Sequence, residues 1–326
     1  MLRSVIASTG SYLPERVIRN EDLTQFPADA IPMIGEKTGV FARRFAGEGE
    51  CTSDLASRAA CACLDGISFP AEQVEAIVLS TSSPDRMQPA TATRVQHLIG
   101  AARAFAFDIN SVCSGSVYGI ALADALIRSK RCRNVLLIAS EVYSKIMNPK
   151  DFSTYPFFGD GSGAVLFQAG RDASRGVLHS SLRSDGSGCD LIGVKAGGTM
   201  LPYEKITNFR QALFSMRGIE VFNFAVDRGA EIIVQTAEEA GVPLREIRCF
   251  ACHQANANII RRISKKLALP ADLFFGNLHR YGNTASASVL ISLDEVLSEG
   301  IVSKGDLVMT LAFGGGLSWG ANLIRI

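Results

Sequence analysis

The sequence predicts an α/β protein built from two pseudo-symmetric halves, and three observations carry that expectation. A pattern of helix, proline-containing turn and short buried strand occurs twice, about 173 residues apart. Runs such as Ala76-Ile77-Val78-Leu79 and Cys249-Phe250-Ala251-Cys252 have strand length and no polar alternation, as strands covered on both faces do. Helical stretches separate these runs, the order that lays helices on the faces of a sheet.

In the first half, a helical pattern over 54–64 leads through Phe69-Pro70-Ala71-Glu72-Gln73-Val74 to a strand over 76–79. Gly115-Ser116-Val117 opens an alanine- and leucine-rich helix ending near Arg128, followed by strands over 135–139 and 164–167. In the second half, a helix over 222–240 leads through Val242-Pro243-Leu244-Arg245-Glu246 to a strand over 247–251. Ala287-Ser288-Val289 then opens a helix ending near Ser298, with a strand over 307–311 behind it. The polar, glycine-containing stretch 169–175 marks the division, giving halves 1–172 and 173–326. Segments 26–44 and 185–216 are rich in Gly, Pro and polar residues, and read as long irregular binding loops.

Apolar residues make up 47% of the 326 and charged residues 20%, which suits a compact chain of about two domains. The net charge of +1 gives no global electrostatic case for nucleic acid or membrane binding. The N-terminus breaks into Ser8-Thr9-Gly10-Ser11 before a signal-peptide core could form, and no apolar run is long enough to span a bilayer. The expected location is therefore cytoplasmic. In that setting most of the eight cysteines read as buried thiols. Cys249-Phe250-Ala251-Cys252-His253 matches a haem-attachment string, but it ends a strand-like run. Residues three apart on a strand face opposite sides, so neither a haem, a redox pair nor a metal site is expected there.

Cys113 stands apart. It lies between a strand ending near Ile109 and a helix opening within a few residues, where unpaired backbone N–H groups favour a thiolate. Ser114, Gly115 and Ser116 leave room for a substrate. His253 ends the strand equivalent to 76–79, and Asn283, in Tyr281-Gly282-Asn283-Thr284, precedes the helix equivalent to the one after Cys113. The repeat thus brings Cys113, His253 and Asn283 towards a common centre. Phe313-Gly314-Gly315-Gly316-Leu317-Ser318-Trp319 follows the last strand pattern, and its glycines allow bare N–H groups to face a substrate oxygen. Gly159-Asp160-Gly161-Ser162-Gly163 has neither a P-loop lysine nor dinucleotide spacing and reads as a structural turn.

Together these motifs resemble the ketoacyl-ACP synthase III family, the initiating condensing enzymes of fatty acid and related polyketide pathways. The resemblance runs from Gly10-Ser11-Tyr12-Leu13-Pro14 through Lys37-Thr38-Gly39 and Phe158-Gly159-Asp160-Gly161 to the glycine-rich end. It implies a thiolase-like five-layer α-β-α-β-α fold, a homodimer, and neither metal nor cofactor. Cys113 would be the nucleophile, His253 and Asn283 would assist malonyl decarboxylation, and the N–H groups of Cys113 and Gly315 would form the oxyanion hole. Asn256 would line the pantetheine tunnel, Phe313 would pack beside the centre, and Gly218 and Phe222 would contact substrate.

A thiolase would need a second cysteine in the glycine-rich loop, and elongating synthases carry a second histidine where Asn283 stands. Met33 and Phe152 stand where many members carry the tryptophan and arginine that sandwich the adenine of coenzyme A. The acyl donor is therefore expected as a weakly held CoA ester or on an acyl carrier protein, with malonyl-ACP as the extender. Lys37, Arg261, Arg262, Lys265 and Lys266 are the candidates for docking the acidic carrier, while Asn223 and Asn258 replace basic residues usual in the family. Gln88 occupies an acyl-pocket position that is commonly apolar, which points to a functionalised primer. Acyl transfer to a hydroxyl or amine, and a carrier-binding scaffold without catalysis, remain the alternatives.

Overall fold

The computed structural model describes residues 2–326. Its first half contains β1 (Arg3–Tyr12), β2 (Arg16–Arg19), α1 (Ile31–Thr38), β3 (Ala42–Phe45), α2 (Thr52–Asp65), β4 (Ala76–Ser80), α3 (Thr91–Leu98), β5 (Phe105–Ile109), α4 (Gly115–Arg128), β6 (Asn134–Glu141) and β7 (Gly161–Gly170). The second contains β8 (Gly176–Ser184), β9 (Ile192–Gly193), β10 (Ser215–Met216), α5 (Gly218–Glu239), β11 (Ile247–Cys252), α6 (Ala257–Lys266), α7 (Leu278–Tyr281), α8 (Ala287–Ser298), β12 (Leu307–Gly314) and β13 (Ser318–Arg325).

The two main sheets share one plan. The first runs β1-β7-β6-β4-β5 and the second β8-β13-β12-β11, so that four strands of each correspond in order and direction. Strand β5 is answered in the second half only by a single parallel bridge, Phe274 against Phe250. At the equivalent place in the second half the chain makes a short turn and α7 instead.

Helices α2 and α3 cover the outer face of the first sheet, packing Leu64 and Val95 against Ile77 and Leu136. On the other outer face α5 and α6 bring Ile233 and Ile263 against Phe250 and Met309. Between the sheets lie α4 and α8, whose Ile120, Ile127, Leu290 and Leu293 share one core with Val78, Leu137, Ala251 and Val308. The result is five layers. Helices with a sheet on both sides must be apolar nearly all round, as α4 and α8 are. By contrast, α6 buries Ile259, Ile263 and Ser264 and exposes Arg261, Arg262, Lys265 and Lys266.

Cys249 lies in the core between the sheets and Cys252 in the outer core, so the two thiols face opposite sides of β11. Segment 26–44 departs from the expected irregular loop. It forms α1 and, with β2, the hairpin strand β3, because Phe26, Ile34, Val40 and Phe45 bury a small core of their own with Ile18 and Leu23. Scattered apolar residues hid that core in a polar stretch. Segment 185–216 is largely irregular, tied by the two-residue pairing of β9 with β10. Helix α5 begins at Gly218, four residues before its expected start at 222. No helix among the described residues is long and apolar enough to cross a membrane.

Candidate active site

Cys113 sits in a single 3-10 turn, Val112–Ser114, that runs directly into α4. Val112, immediately before it, has φ +46°, a strained value for a β-branched residue, and Asn110 accepts its N–H at 3.1 Å. The sharp turn presents Cys113 beside the glycine-rich bend between β12 and β13. A Cβ on Gly314 would lie 2.8 Å from the Cys113 nitrogen and 2.9 Å from that of Ser114, so only glycine fits. Gly315 follows in the same bend and packs against Val112. Three hydroxyls clamp these turns together. Ser114 Oγ lies 2.7 Å and Ser111 Oγ 3.1 Å from Ser318 Oγ, and Ser318 donates to the Gly315 carbonyl at 2.9 Å.

His253 follows β11, and Phe313 sets its ring edge-on to the imidazole with centroids 5.4 Å apart. His253 Nδ1 lies 2.7 Å from Ser288 Oγ. That hydroxyl has one proton and two acceptors in reach, Nδ1 and the Ala285 carbonyl at 2.9 Å. When the proton goes to Nδ1, Nε2 carries the ring proton and becomes a donor. His253 is 2% exposed, and burial pulls its pKa down to about 3, only partly offset by the Ala285 carbonyl. The imidazole is therefore neutral near pH 7.

Asn283 is held from both ends of its backbone. Its N–H donates to Phe157 O at 2.7 Å, and its carbonyl accepts from Gly159 N–H at 3.0 Å. Its side-chain Oδ1 accepts the Ala285 N–H at 2.8 Å, which leaves the NH₂ as the free end. Ala285, Phe158 and Cys113 share one packing cluster with Tyr143 and Phe214.

The expectation of a resting thiolate is reversed. Cys113 is 7% exposed, and its thiol is pushed up, first by burial and then by the Glu141 carboxylate. Its own backbone N–H works the other way and loses. At rest the Cys113 side chain is a neutral thiol.

Of the expected substrate and carrier residues, Lys37, Phe222, Asn256, Arg261, Arg262 and Lys265 line one hollow, which Asn258 also joins. Asn256 caps α6 through the Asn258 N–H at 2.8 Å, and Arg262 stacks 4.9 Å over the Phe222 ring. Lys266 is outside the hollow and pairs with Asp227 at 2.8 Å. Gly218 is exposed at the start of α5. Phe152 packs edge-on to Phe26 at 5.2 Å, and Met33 is half-buried on α1. Gln88 is exposed in the loop after β4.

Three features escaped the reading of the sequence. One is the serine clamp of Ser111, Ser114 and Ser318. A second is Arg43, wholly buried, its pKa lowered by burial to about 10. It donates to Ile18 O and Asn20 Oδ1 at 3.2 and 2.6 Å and to Pro156 O, beside the loop that holds Asn283. The third is Glu141, the one acid in the strand Asn134–Glu141. A charge closing an otherwise uncharged strand was the signal available for it.

Two family models match, both described as 3-oxoacyl-[acyl-carrier-protein] synthase III, over residues 107–186 and, for the C-terminal portion, 237–326. A β-ketoacyl-[acyl-carrier-protein] synthase III of Rhodospirillum centenum is 41% identical over 99% of both chains. The crystal structure of the 3-oxoacyl-[acyl-carrier-protein] synthase III of Aquifex aeolicus superposes with a TM-score of 0.91 at 36% identity, covering 99% of this chain and 100% of that one. A priming β-ketosynthase of the R1128 polyketide pathway superposes at 0.88 with 25% identity, covering 99% of this chain and 96% of its own. With its five-layer fold and its strand-end site, the chain belongs to the 3-oxoacyl-[acyl-carrier-protein] synthase III family.

Proposed function

We propose that the protein loads an acyl group onto Cys113 and condenses it with malonyl-ACP, with loss of CO₂, to give a 3-oxoacyl-ACP. The observation that carries this reading is the turn 283–288, which bears the oriented Asn283 amide and the Ser288 hydroxyl that meets His253 Nδ1 at 2.7 Å. In the first step the Cys113 sulfur bonds to the acyl carbon, the donor's C–S bond breaks, and the thiol proton leaves with the departing thiol. The tetrahedral oxyanion is received by the N–H groups of Cys113 and Gly315.

In the second step the malonyl C–C bond breaks, and its electron pair becomes an enolate as CO₂ departs. His253 Nε2–H and the Asn283 NH₂ donate to the enolate oxygen. The carbanion attacks the acyl carbonyl, the C–S bond to Cys113 breaks, and the sulfur takes up a proton from solvent. Neutral His253 suits a hydrogen-bond donor to a developing anion, and a resting thiol suits a site that is reset by protonation. A bare acyltransferase would have no use for an amide held with its donors outward.

The hollow around Lys37, Arg261, Arg262 and Lys265, which Asn256 and Phe222 also line, is the proposed carrier seat, and Gly218, exposed at the start of α5, is a further proposed substrate contact. Phe152, turned into an aromatic cluster, and Met33 offer no arginine–tryptophan sandwich for adenine, which favours a carrier-borne or weakly held CoA donor. The chain, with its halves 1–172 and 173–326, is proposed to work as a homodimer. In support, β5 is an open edge strand with Phe105 and Leu98 exposed beside it, next to an apolar hollow lined by Ile109, Tyr118, Leu122 and Leu182. Exposed Gln88 would then meet the partner's acyl pocket.

The test is intact-mass analysis after incubation with a panel of acyl thioesters, followed by malonyl-ACP. A mass gain lost in Cys113→Ser, and a 3-oxoacyl product, are expected. A gain that survives Cys113→Ser would refute the reading.

A further inference from the structure

Glu141 closes β6, is fully buried, and receives donors from three places. From the loop after β4 come the N–H groups of Ser82 and Ser83 at 3.1 Å and their hydroxyls at 3.1 and 2.6 Å. From β4's end Thr81 Oγ1 lies at 3.4 Å, and from the turn before α8 comes Ser286 Oγ at 2.6 Å. The Ser83 hydroxyl also accepts the Val142 N–H at 2.9 Å, so its proton is committed to the carboxylate. Burial raises the Glu141 pKa, and the Ser286, Ser83 and Ser82 donors pull it back down; a group met by two backbone N–H donors and several hydroxyls is acceptor-only, which is the behaviour of an ionised carboxylate.

The pseudo-symmetry sharpens what this contact is. Strand β6 corresponds to β12, which puts Glu141 at the place of Gly314, and the same offset relates Cys113 to Ser286. In one half the strand end is a glycine lying against the Cys113 backbone. In the other it is a carboxylate gripping Ser286. One copy of the joint is opened for the nucleophile, and its mate is locked.

What Ser286 belongs to decides the role. Three residues before it is Asn283, two after it is Ser288, and the Ala285 N–H next to it orients the Asn283 amide. We propose that Glu141 is a positioning residue for condensation: through Ser286 it fixes the turn carrying Asn283 and Ser288, and through Ser82 and Ser83 it ties that turn to the loop leading to Gln88. The proposal rests on the reading of Asn283 and His253 as the decarboxylating pair. Glu141 also acts on the nucleophile. Of the titratable groups around Cys113, Tyr143 keeps its proton and His253 is neutral, which leaves Glu141 as the charge the thiol senses.

Glu141→Gln and Ser286→Ala, made in the full chain, test this with two readouts. One is CO₂ release from malonyl-ACP after Cys113 is loaded by a productive acyl donor. The other is the pH midpoint of Cys113 alkylation by iodoacetamide, followed by mass, which needs no substrate. Both variants are expected to lower CO₂ release roughly tenfold or more, as loss of a buried charged hydrogen bond does. Glu141→Gln alone should move the alkylation midpoint to lower pH, because a negative charge near the thiol is gone. Ser286→Ala should leave the midpoint in place, and a general loosening of the fold would not produce that split. Unchanged CO₂ release in both variants, or an unmoved midpoint in Glu141→Gln, would overturn the proposal. A missing CO₂ release in the unsubstituted enzyme, with the midpoint still moved by Glu141→Gln, would overturn it from the other side, by removing the condensation reading beneath it.

Discussion

Asn110 and Asn283 stand about 173 residues apart and make the same turn in the two halves, each accepting the N–H two residues on, at 3.1 Å from Val112 and 2.8 Å from Ala285. Val112 and Ala285 both have positive φ, +46° and +45°. One strained turn thus occurs twice, delivering Cys113 in the first half and Ser286 in the second. The same sharp corner thus stands beside the Cys113 thiol in one half and beside the Asn283 amide in the other.

That division predicts separable half-reactions. Asn283→Ala removes a donor to the enolate and should cut condensation by roughly 100–1,000-fold, the usual cost of one anion-stabilising donor. Ser288→Ala leaves Nδ1 of His253 without its partner and should cut it by about tenfold. Acylation of Cys113, read by mass after a single turnover, should stay within a few-fold in both. Equal loss of both half-reactions would contradict the assignment.

Gly314 is expected to tolerate no side chain. In Gly314→Ala the new Cβ would press on the Cys113 and Ser114 nitrogens at under 3 Å, so acylation should be lost or the turn displaced. Gly49, with nothing within 4 Å of a built Cβ, is the control, and Gly49→Ala should acylate like the parent protein.

Burial of His253 has a signature in stability. Its folded pKa, about 3, lies below its unfolded value of about 6.5, so the unfolded chain binds the extra proton between those limits. Stability from this group is fully present above about pH 6.5 and is lost as pH falls towards 3. Between pH 7 and pH 5 the parent protein should lose about 2 kcal/mol more than His253→Asn does. Urea unfolding at the two pH values measures the difference. An equal loss in both proteins would show that His253 protonates freely in the fold.

Carrier docking should depend on the hollow and not on charge in general. Arg261→Ala and Lys265→Ala should raise the KM for malonyl-ACP several-fold, more at low salt than at high. Lys266→Ala, which only breaks the exposed pair with Asp227, should leave it unchanged. Titration of the three variants at two ionic strengths separates these outcomes.

Much of the architecture was legible because its cues are local. The helix after Cys113 and the strand after it were readable from apolar spacing, and the repeat needed only matching patterns at one offset. The hairpin and helix within 26–44 were not, because Ile18, Phe26, Ile34 and Phe45 meet only once the chain has folded back. The site divides in the same way. Cys113, His253 and Asn283 each follow a recognisable strand or helix boundary, whereas Ser288, Ser318 and Glu141 look like ordinary polar residues until their partners are known.

By itself the sequence determined the α/β repeat, the candidate nucleophile and the two side chains set to converge on it, because periodicity and boundary chemistry are written in neighbouring residues. Only the tertiary structure decided that the thiol rests protonated and that the Asn283 amide points its NH₂ outward. It alone decided that a carboxylate locks the second copy of the corner. Each of those depends on burial and on contacts between residues far apart in the chain, such as Ser286 with Glu141 and Ser114 with Ser318.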